Sequence, residues 1–292
     1  MSDVTERLSA LAPSEQSLVG YLFWLSRPRF WFYLAGPVVV GVVYAADSVA
    51  DFFTPLTFAL FVYFLLPANV FLYGVNDIFD RDVDAANPKK QEQEVRYRGE
   101  RTVPVAVAAT GLAGLAFLPL LPTAGAAAMV AFLLLGAEYS APPLRFKTHP
   151  GLDSLSNGLY VLPGVVAYAA LAGQAPPLLA LAGGWLWAMA MHTFSAIPDI
   201  EPDRAAGIET TATRLGESRT YAYCATLWLG AAVAFALLHP FLGAVFVFYP
   251  VFVAGIALSD VSVDRAYWWF PAVNTVAGAL LTNGALWVLI YG

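Results

Sequence analysis

The nine residues from Asn76 to Asp84 read Asn-Asp-Ile-Phe-Asp-Arg-Asp-Val-Asp and follow directly on an apolar run that ends Leu72-Tyr73-Gly74-Val75. If run and segment form one helix, 100° per residue brings Asn76, Asp77, Asp80 and Asp84 within an arc of about 100° and leaves Asp82 on another face. Three carboxylates and an amide sharing a face repel one another unless a cation joins them. A second segment, Asp199-Ile-Glu-Pro-Asp-Arg-Ala-Ala-Gly-Ile-Glu-Thr, repeats the theme. In a helix Asp199 and Asp203 face together and Glu201 faces away, with Pro202 either in a first turn or at a break. Carboxylates at the edge of a membrane are expensive and point to function. Two facing clusters with Arg and Lys nearby suit Mg²⁺, which binds oxygen, keeps several waters and is usually shared with substrate phosphates. A diphosphate bridged by two such ions would fill the gap between the clusters and cancel their repulsion.

The elements that must position these acids are membrane helices. Hydrophobic residues make up 59% of the 292 and charged residues 12%, about half the charge a soluble domain carries, so lipid is the solvent the composition calls for. Stretches long enough to cross a hydrocarbon core of about 30 Å lie near 30–48, 56–76, 102–120, 122–139, 153–173, 177–197, 219–238, 241–259 and 268–290. They follow one another without a long polar linker, which predicts one all-α domain over 1–292, a nine-helix membrane bundle with a polar segment at 1–20. With nine spans, all 15 Lys and Arg fall in or at the edge of the segments on one side, while the loops opposite carry only Asp47 and Asp51 as charges. The positive-inside rule then puts the N-terminus and the acidic mouth in the cytoplasm and the C-terminus outside. The first twenty residues, polar and acidic, do not read as a cleavable signal. Cys224 lies alone in an apolar stretch and reads as a core residue. The net charge of −6 argues against a nucleic-acid partner.

A third segment on the same side, Tyr139-Ser-Ala-Pro-Pro-Leu-Arg145-Phe-Lys147, completes a pattern. Asn76 to Asp84 resembles the N-D-x-x-D-x-x-x-D motif of the UbiA-type membrane prenyltransferases. Asp199 to Asp203, with the following Arg-Ala-Ala-Gly-Ile-Glu-Thr and Leu215-Gly216, is similar to their second aspartate motif, and 139–147 to their Tyr/Lys loop. The likeness covers all but the first twenty residues. It implies Mg²⁺ ions, two of them, held by Asn76, Asp77, Asp80, Asp84, Asp199 and Asp203. It implies an allylic diphosphate bound by Lys89, Lys90, Arg145, Lys147 and Arg204, and catalytic roles for Asp80, Asp203, Tyr139 and Lys147. Ionisation of that substrate leaves an allylic cation which needs a dry pocket, and ring faces such as those of Tyr73, Phe79 and Tyr139 would stabilise it. His192, seven residues before Asp199, is placed to relay a proton or to serve as a satisfied structural histidine.

The stretch Asn87-Pro88-Lys89-Lys90-Gln91, then Val95-Arg96-Tyr97-Arg98, departs from the branches that prenylate aromatic rings. With Pro67-Ala68-Asn69 it looks like the carotenoid branch, the lycopene elongases. That branch implies transfer of a C5 unit from dimethylallyl diphosphate to lycopene in C50 carotenoid biosynthesis. The apolar central helices, Phe61 to Leu66, Leu159 to Leu162 and Trp185 to Trp187, suit an apolar acceptor. A quinone precursor or an ether-lipid glycerol is the alternative acceptor. A cation transporter is the alternative of another class, disfavoured by outer loops with almost no polar access.

Overall fold

A computed structural model describes residues 17–84, 99–259 and 261–292, with residues 81–84 described by their backbone alone. The described residues are helical throughout their regular structure. A short α1 (Leu18–Leu25) leads into α2 (Trp31–Ala45), α3 (Pro55–Leu65), α4 (Pro67–Asp84), α5 (Thr102–Leu115), α6 (Thr123–Ser140), α7 (Leu152–Ser156) and α8 (Leu162–Ala172). Then come α9 (Leu178–Ser195), two short helices α10 (Ile200–Ala205) and α11 (Thr211–Leu215), and α12 (Glu217–Leu238), α13 (Pro240–Ala257) and α14 (Val263–Tyr291). Joined across short 3₁₀ turns, the described residues supply nine segments long and apolar enough to span a membrane. Number and order are those expected from the sequence. The edges differ where a cap intervenes: α14 starts at Val263 rather than near 268, because Ser262 caps it by accepting from the Arg265 amide. The second span runs on to Asp80, so the first acidic motif continues a membrane helix.

That second span is broken at Leu66, where Pro67 cannot donate to the preceding turn. Asn69 repairs the break. Fully buried, it donates its side-chain amide to the carbonyls of Phe64 (2.9 Å) and Leu65 (3.0 Å), groups that nothing in hydrocarbon would otherwise satisfy.

Two cores divide the bundle. One gathers Leu34, Val38, Phe64, Phe71, Phe132 and Leu159 from α2–α8; the other gathers Phe194, Trp228, Phe246, Tyr249 and Phe270 from α9–α14. Small residues bring helices together within each half and across it. A Cβ on Gly164 of α8 would sit 2.8 Å from the Pro37 carbonyl oxygen of α2, and one on Gly41 would collide with the Gly164 carbonyl. Exposed aromatics mark both ends of α14, Trp268 and Trp269 at one and Trp287 and Tyr291 at the other. Roughly 27 Å of helix at 1.5 Å per residue separates Trp269 from Trp287, the spacing of aromatic belts flanking a hydrocarbon core.

Candidate active site

The three motifs meet at one end of the bundle. Asp77 and Asp80 are buried on the inner face of α4 (6% and 3% exposed), as helical phase led one to expect, while Phe79 is turned outward and 45% exposed. Asn76 donates its amide to the Ser140 hydroxyl at 2.9 Å, tying α4 to α6. Asp80 receives two cations from the 139–147 loop: Lys147 touches its carboxylate, and Arg145 Nη2 lies 3.3 Å away. Asp77 is paired at 3.0 Å with Arg27, whose guanidinium also lies 4.7 Å from the centre of the Tyr73 ring. Arg27 and Arg145 are the two non-glycine residues with positive φ among the described residues, at 52° and 43°. Left-handed backbone costs such a residue about 1–2 kcal/mol, and here both instances aim a cation at the acidic motif, the kind of place where local strain collects.

The second acidic segment closes the mouth from α9 and α10. Asp199 ends a 3₁₀ turn and Asp203 lies on α10, both partly buried, whereas Glu201 is exposed. Asp77 and Asp203 both act on Lys147, pulling its ammonium toward the charged form; burial outweighs them and lowers it to about 8. Arg204 faces away from that cluster, donating to Glu201 and to the Thr213 carbonyl, each at 2.8 Å. A buried network fixes the loop around it. Asp153 of α7 accepts from the amide (2.8 Å) and hydroxyl of Thr211, and the same hydroxyl accepts from the Gly151 amide at 2.7 Å. The loop with the second motif is thereby clamped to the loop that presents Arg145 and Lys147.

Beneath the mouth lies a chamber of ≈ 130 Å³ whose lining includes Arg27, Tyr73, Asn157, Tyr160, His192 and Tyr267. Tyr139 stands behind this lining, its hydroxyl 3.2 Å from His192 Nε2. A far larger cavity of ≈ 1220 Å³ opens between the two halves of the bundle, walled by α2, α8, α9, α12, α13 and α14 without a charged side chain. The two share Tyr33, Tyr160, Trp187 and Asn274.

Of the residues expected from the sequence, Asn76, Asp77, Asp80, Arg145, Lys147 and Asp203 come together, with Asp199 partly buried on the turn before α10 and Tyr139 behind the chamber lining. Phe79 does not belong to the chamber: its place in the helical repeat turns it out. The side chain of Asp84 and all of Lys89 and Lys90 lie outside the described residues. Sequence reasoning missed Arg27, Asp153 and, in the chamber's lining, Tyr33, Tyr267 and Asn274; Tyr160 it named only within the apolar stretch 159–162. The Arg-Pro-Arg at 27–29, on the threshold of the first span, was the available signal for Arg27. The tyrosines carried none, since aromatic residues in apolar helices read as packing.

Comparisons with known proteins agree with this geometry. The family profile described as UbiA prenyltransferase family matches residues 34–267. A protein of Haloarcula japonica named lycopene elongase/hydratase is 60% identical over 99% of this chain and 98% of its own length. One of the same name from Haloferax volcanii is 63% identical over 93% of this chain and 90% of its own. A UbiA homolog from Archaeoglobus fulgidus, solved bound to DMAPP and Mg²⁺, superposes with a TM-score of 0.73 at 20% identity, covering 93% of this chain and 99% of that one.

Proposed function

The chain belongs to the UbiA prenyltransferase family, and on that premise we propose that it transfers a C5 group from dimethylallyl diphosphate to lycopene and adds water in the same turnover. Relatives covering its whole length carry the name lycopene elongase/hydratase. The observation that carries the acceptor is the large cavity. At ≈ 1220 Å³ it exceeds the roughly 300–1,000 Å³ usual for small-molecule sites, and it holds no charge that a phenolic acid would need. A long apolar polyene fits such a space, with its reacting end reaching the chamber at Tyr33 and Tyr160.

The mouth is read as the diphosphate site. Its donors are all oxygen: the carboxylates of Asp77, Asp80, Asp199 and Asp203 and the amide of Asn76. Among the described residues no three acidic, Cys or His side chains converge tightly enough to hold a metal on protein atoms alone. That suits Mg²⁺, which takes part of its shell from water and substrate phosphates, and the two facing motifs would hold two such ions. Bound there, Mg²⁺ would neutralise charge that develops on the leaving group. Lys147 and Arg145 are held by Asp80 at the point where the diphosphate enters, and they bind its oxygens by charge-assisted hydrogen bonds. Lys89, Lys90 and Asp84, which follow α4 toward the same end, are proposed to join them; Arg204 contributes by steadying the 210–216 turn. Tyr73, with Arg27 against its face, and Tyr160 line the path of the cation and exclude water from it. His192 and Tyr139 hold one another and fix the wall between mouth and chamber. The one-sided distribution of Lys and Arg supports a cytoplasmic position for this mouth.

The deciding experiment supplies purified protein, Mg²⁺ and dimethylallyl diphosphate with either lycopene or 4-hydroxybenzoate, and reads products by mass. One or two C5 units on lycopene is the expected result. Prenylation of the phenolic acid alone overturns the reading.

A further inference from the structure

The junction between chamber and large cavity is polar in a way that its surroundings are not. The Tyr33 hydroxyl and the Trp187 indole N–H are both buried, and neither has a partner at good hydrogen-bond geometry, although Asn274 lies close enough to Tyr33, and Tyr249 to Trp187, for a long polar contact. Asn274, half-buried, accepts from the Tyr249 hydroxyl at 2.9 Å and donates its amide weakly to the Met191 sulfur at 3.8 Å. Tyr33, Trp187 and Asn274 line both spaces. The other buried side-chain atoms that lack a partner among the described residues, on Tyr63, Asn69, Arg145 and Trp228, line neither. Leaving a buried polar group unpaired is costly; two such groups, with the weakly bonded amide of Asn274 lining the same junction, supply the two to four polar partners that an ordered water needs.

We propose that Tyr33, Trp187 and Asn274 form the site of the water that is added to the carotenoid. This rests on the elongase/hydratase reading above and says where its second half happens. The allylic cation left by diphosphate departure is attacked by the π electrons of the terminal double bond of lycopene. A carbon–carbon bond forms at the less substituted carbon, and positive charge moves to the dimethyl-substituted one. A lone pair of the held water closes on that carbon. The resulting oxonium loses its proton through the Tyr33 hydroxyl to the released diphosphate at the mouth, a much stronger base than the alcohol. No oxidant or reductant is required. Trp187 donates to one lone pair of the water, with the Asn274 amide beside it, and leaves the other lone pair free; together they hold the water away from the allylic cation, so that it meets the charge only after it has moved to the acceptor. Without a held water the same cation loses a methyl or methylene proton and becomes an alkene.

The test runs the wild-type protein in H₂¹⁸O with lycopene and dimethylallyl diphosphate, then compares Tyr33→Phe, Trp187→Phe and Asn274→Leu by the ratio of extended alcohol to extended alkene. Wild type is expected to place ¹⁸O in the product alcohol. Each variant is expected to lower the alcohol-to-alkene ratio by roughly fivefold or more, the size of one lost hydrogen bond. Tyr63→Phe, which removes a buried unpartnered hydroxyl that lines neither space, is expected to leave the ratio alone. An unchanged ratio in all three junction variants overturns the proposal. So does parallel loss of both products in variants that insert and melt like wild type. Extension of lycopene by wild type without ¹⁸O uptake defeats the water site alone; absence of any extension defeats the assignment of lycopene as acceptor.

Discussion

At the scale of single residues, the acidic motif divides by helical phase. Asp80 is buried against Lys147 and Arg145, and Asp203 faces the same lysine. Asp80→Asn and Asp203→Asn are therefore expected to lower kcat by at least about a hundredfold, the usual cost of removing one transition-state charge stabiliser, with the protein still inserted. Asparagine is preferred to alanine because it keeps a group for the buried cations to bond. Asp82→Ala, about 200° round the helix from Asp80, is expected to keep most activity, and equal loss at positions 80 and 82 would contradict the phase assignment. Lys147 supplies a pH test. Its ammonium is lowered to about 8 by burial, so in the free enzyme it is charged below that pH and loses its charge above it. The rate constant kcat/KM for dimethylallyl diphosphate should fall as pH rises through about 8. Lys147→Arg should carry that alkaline limb upward, since a guanidinium stays protonated; a limb that stays in place assigns it to another group. These acids were legible in the sequence because their type is rare at a membrane edge and their spacing is helical. Their counter-ion Arg27 was not, because a turn with positive φ, not a periodicity, sends it to Asp77.

At the scale of elements, nine spans could be counted from hydropathy and checked by the one-sided placement of Lys and Arg, because both signals are local. What hydropathy cannot carry is how helices touch. Where α2 meets α8, Gly41 and Gly164 let the backbones approach to contact, and nothing in a run of valines and glycines says which glycine does so. Gly41→Val should force the pair apart and cost about 2 kcal/mol or more, the scale of overpacking a close contact. Gly255 of α13 has open space where a Cβ would be, so Gly255→Ala should be neutral or slightly stabilising. Thermal melting of the two variants in one detergent compares them; similar melting points would mean that the α2–α8 approach tolerates separation. The Pro67–Asn69 device belongs to the same scale. The sequence displays the proline, and only the structure shows that Asn69 is what makes the break affordable in lipid.

At the scale of the whole molecule, the bundle has a charged end and an apolar flank. Cysteines introduced at 205–207 and at 47–48 should label from opposite faces of sealed vesicles, the first from the cytoplasmic side; labelling of both from one face would break the nine-span topology. The flank is the large cavity between the two cores, and its shape can be changed without touching the mouth. Gly36 of α2 and Gly278 of α14 both line it, and neither has an atom within 4 Å of where a Cβ would lie. A larger side chain at either position projects into the cavity instead of into a neighbouring helix, so folding should survive. If lycopene occupies this space, Gly36→Leu and Gly278→Phe should raise its KM by roughly tenfold or more, since filling a binding cavity forfeits apolar contact worth about 25 cal/mol per Å². The KM for dimethylallyl diphosphate should stay within about twofold, because the diphosphate is bound by charges at the far end of the chamber, and a doubled variant should act on a shorter polyene better than on lycopene. Equal rises for both substrates would mean that the substitutions distort the bundle. No rise for lycopene would place the polyene outside the cavity, along the lipid-facing surface of the helices.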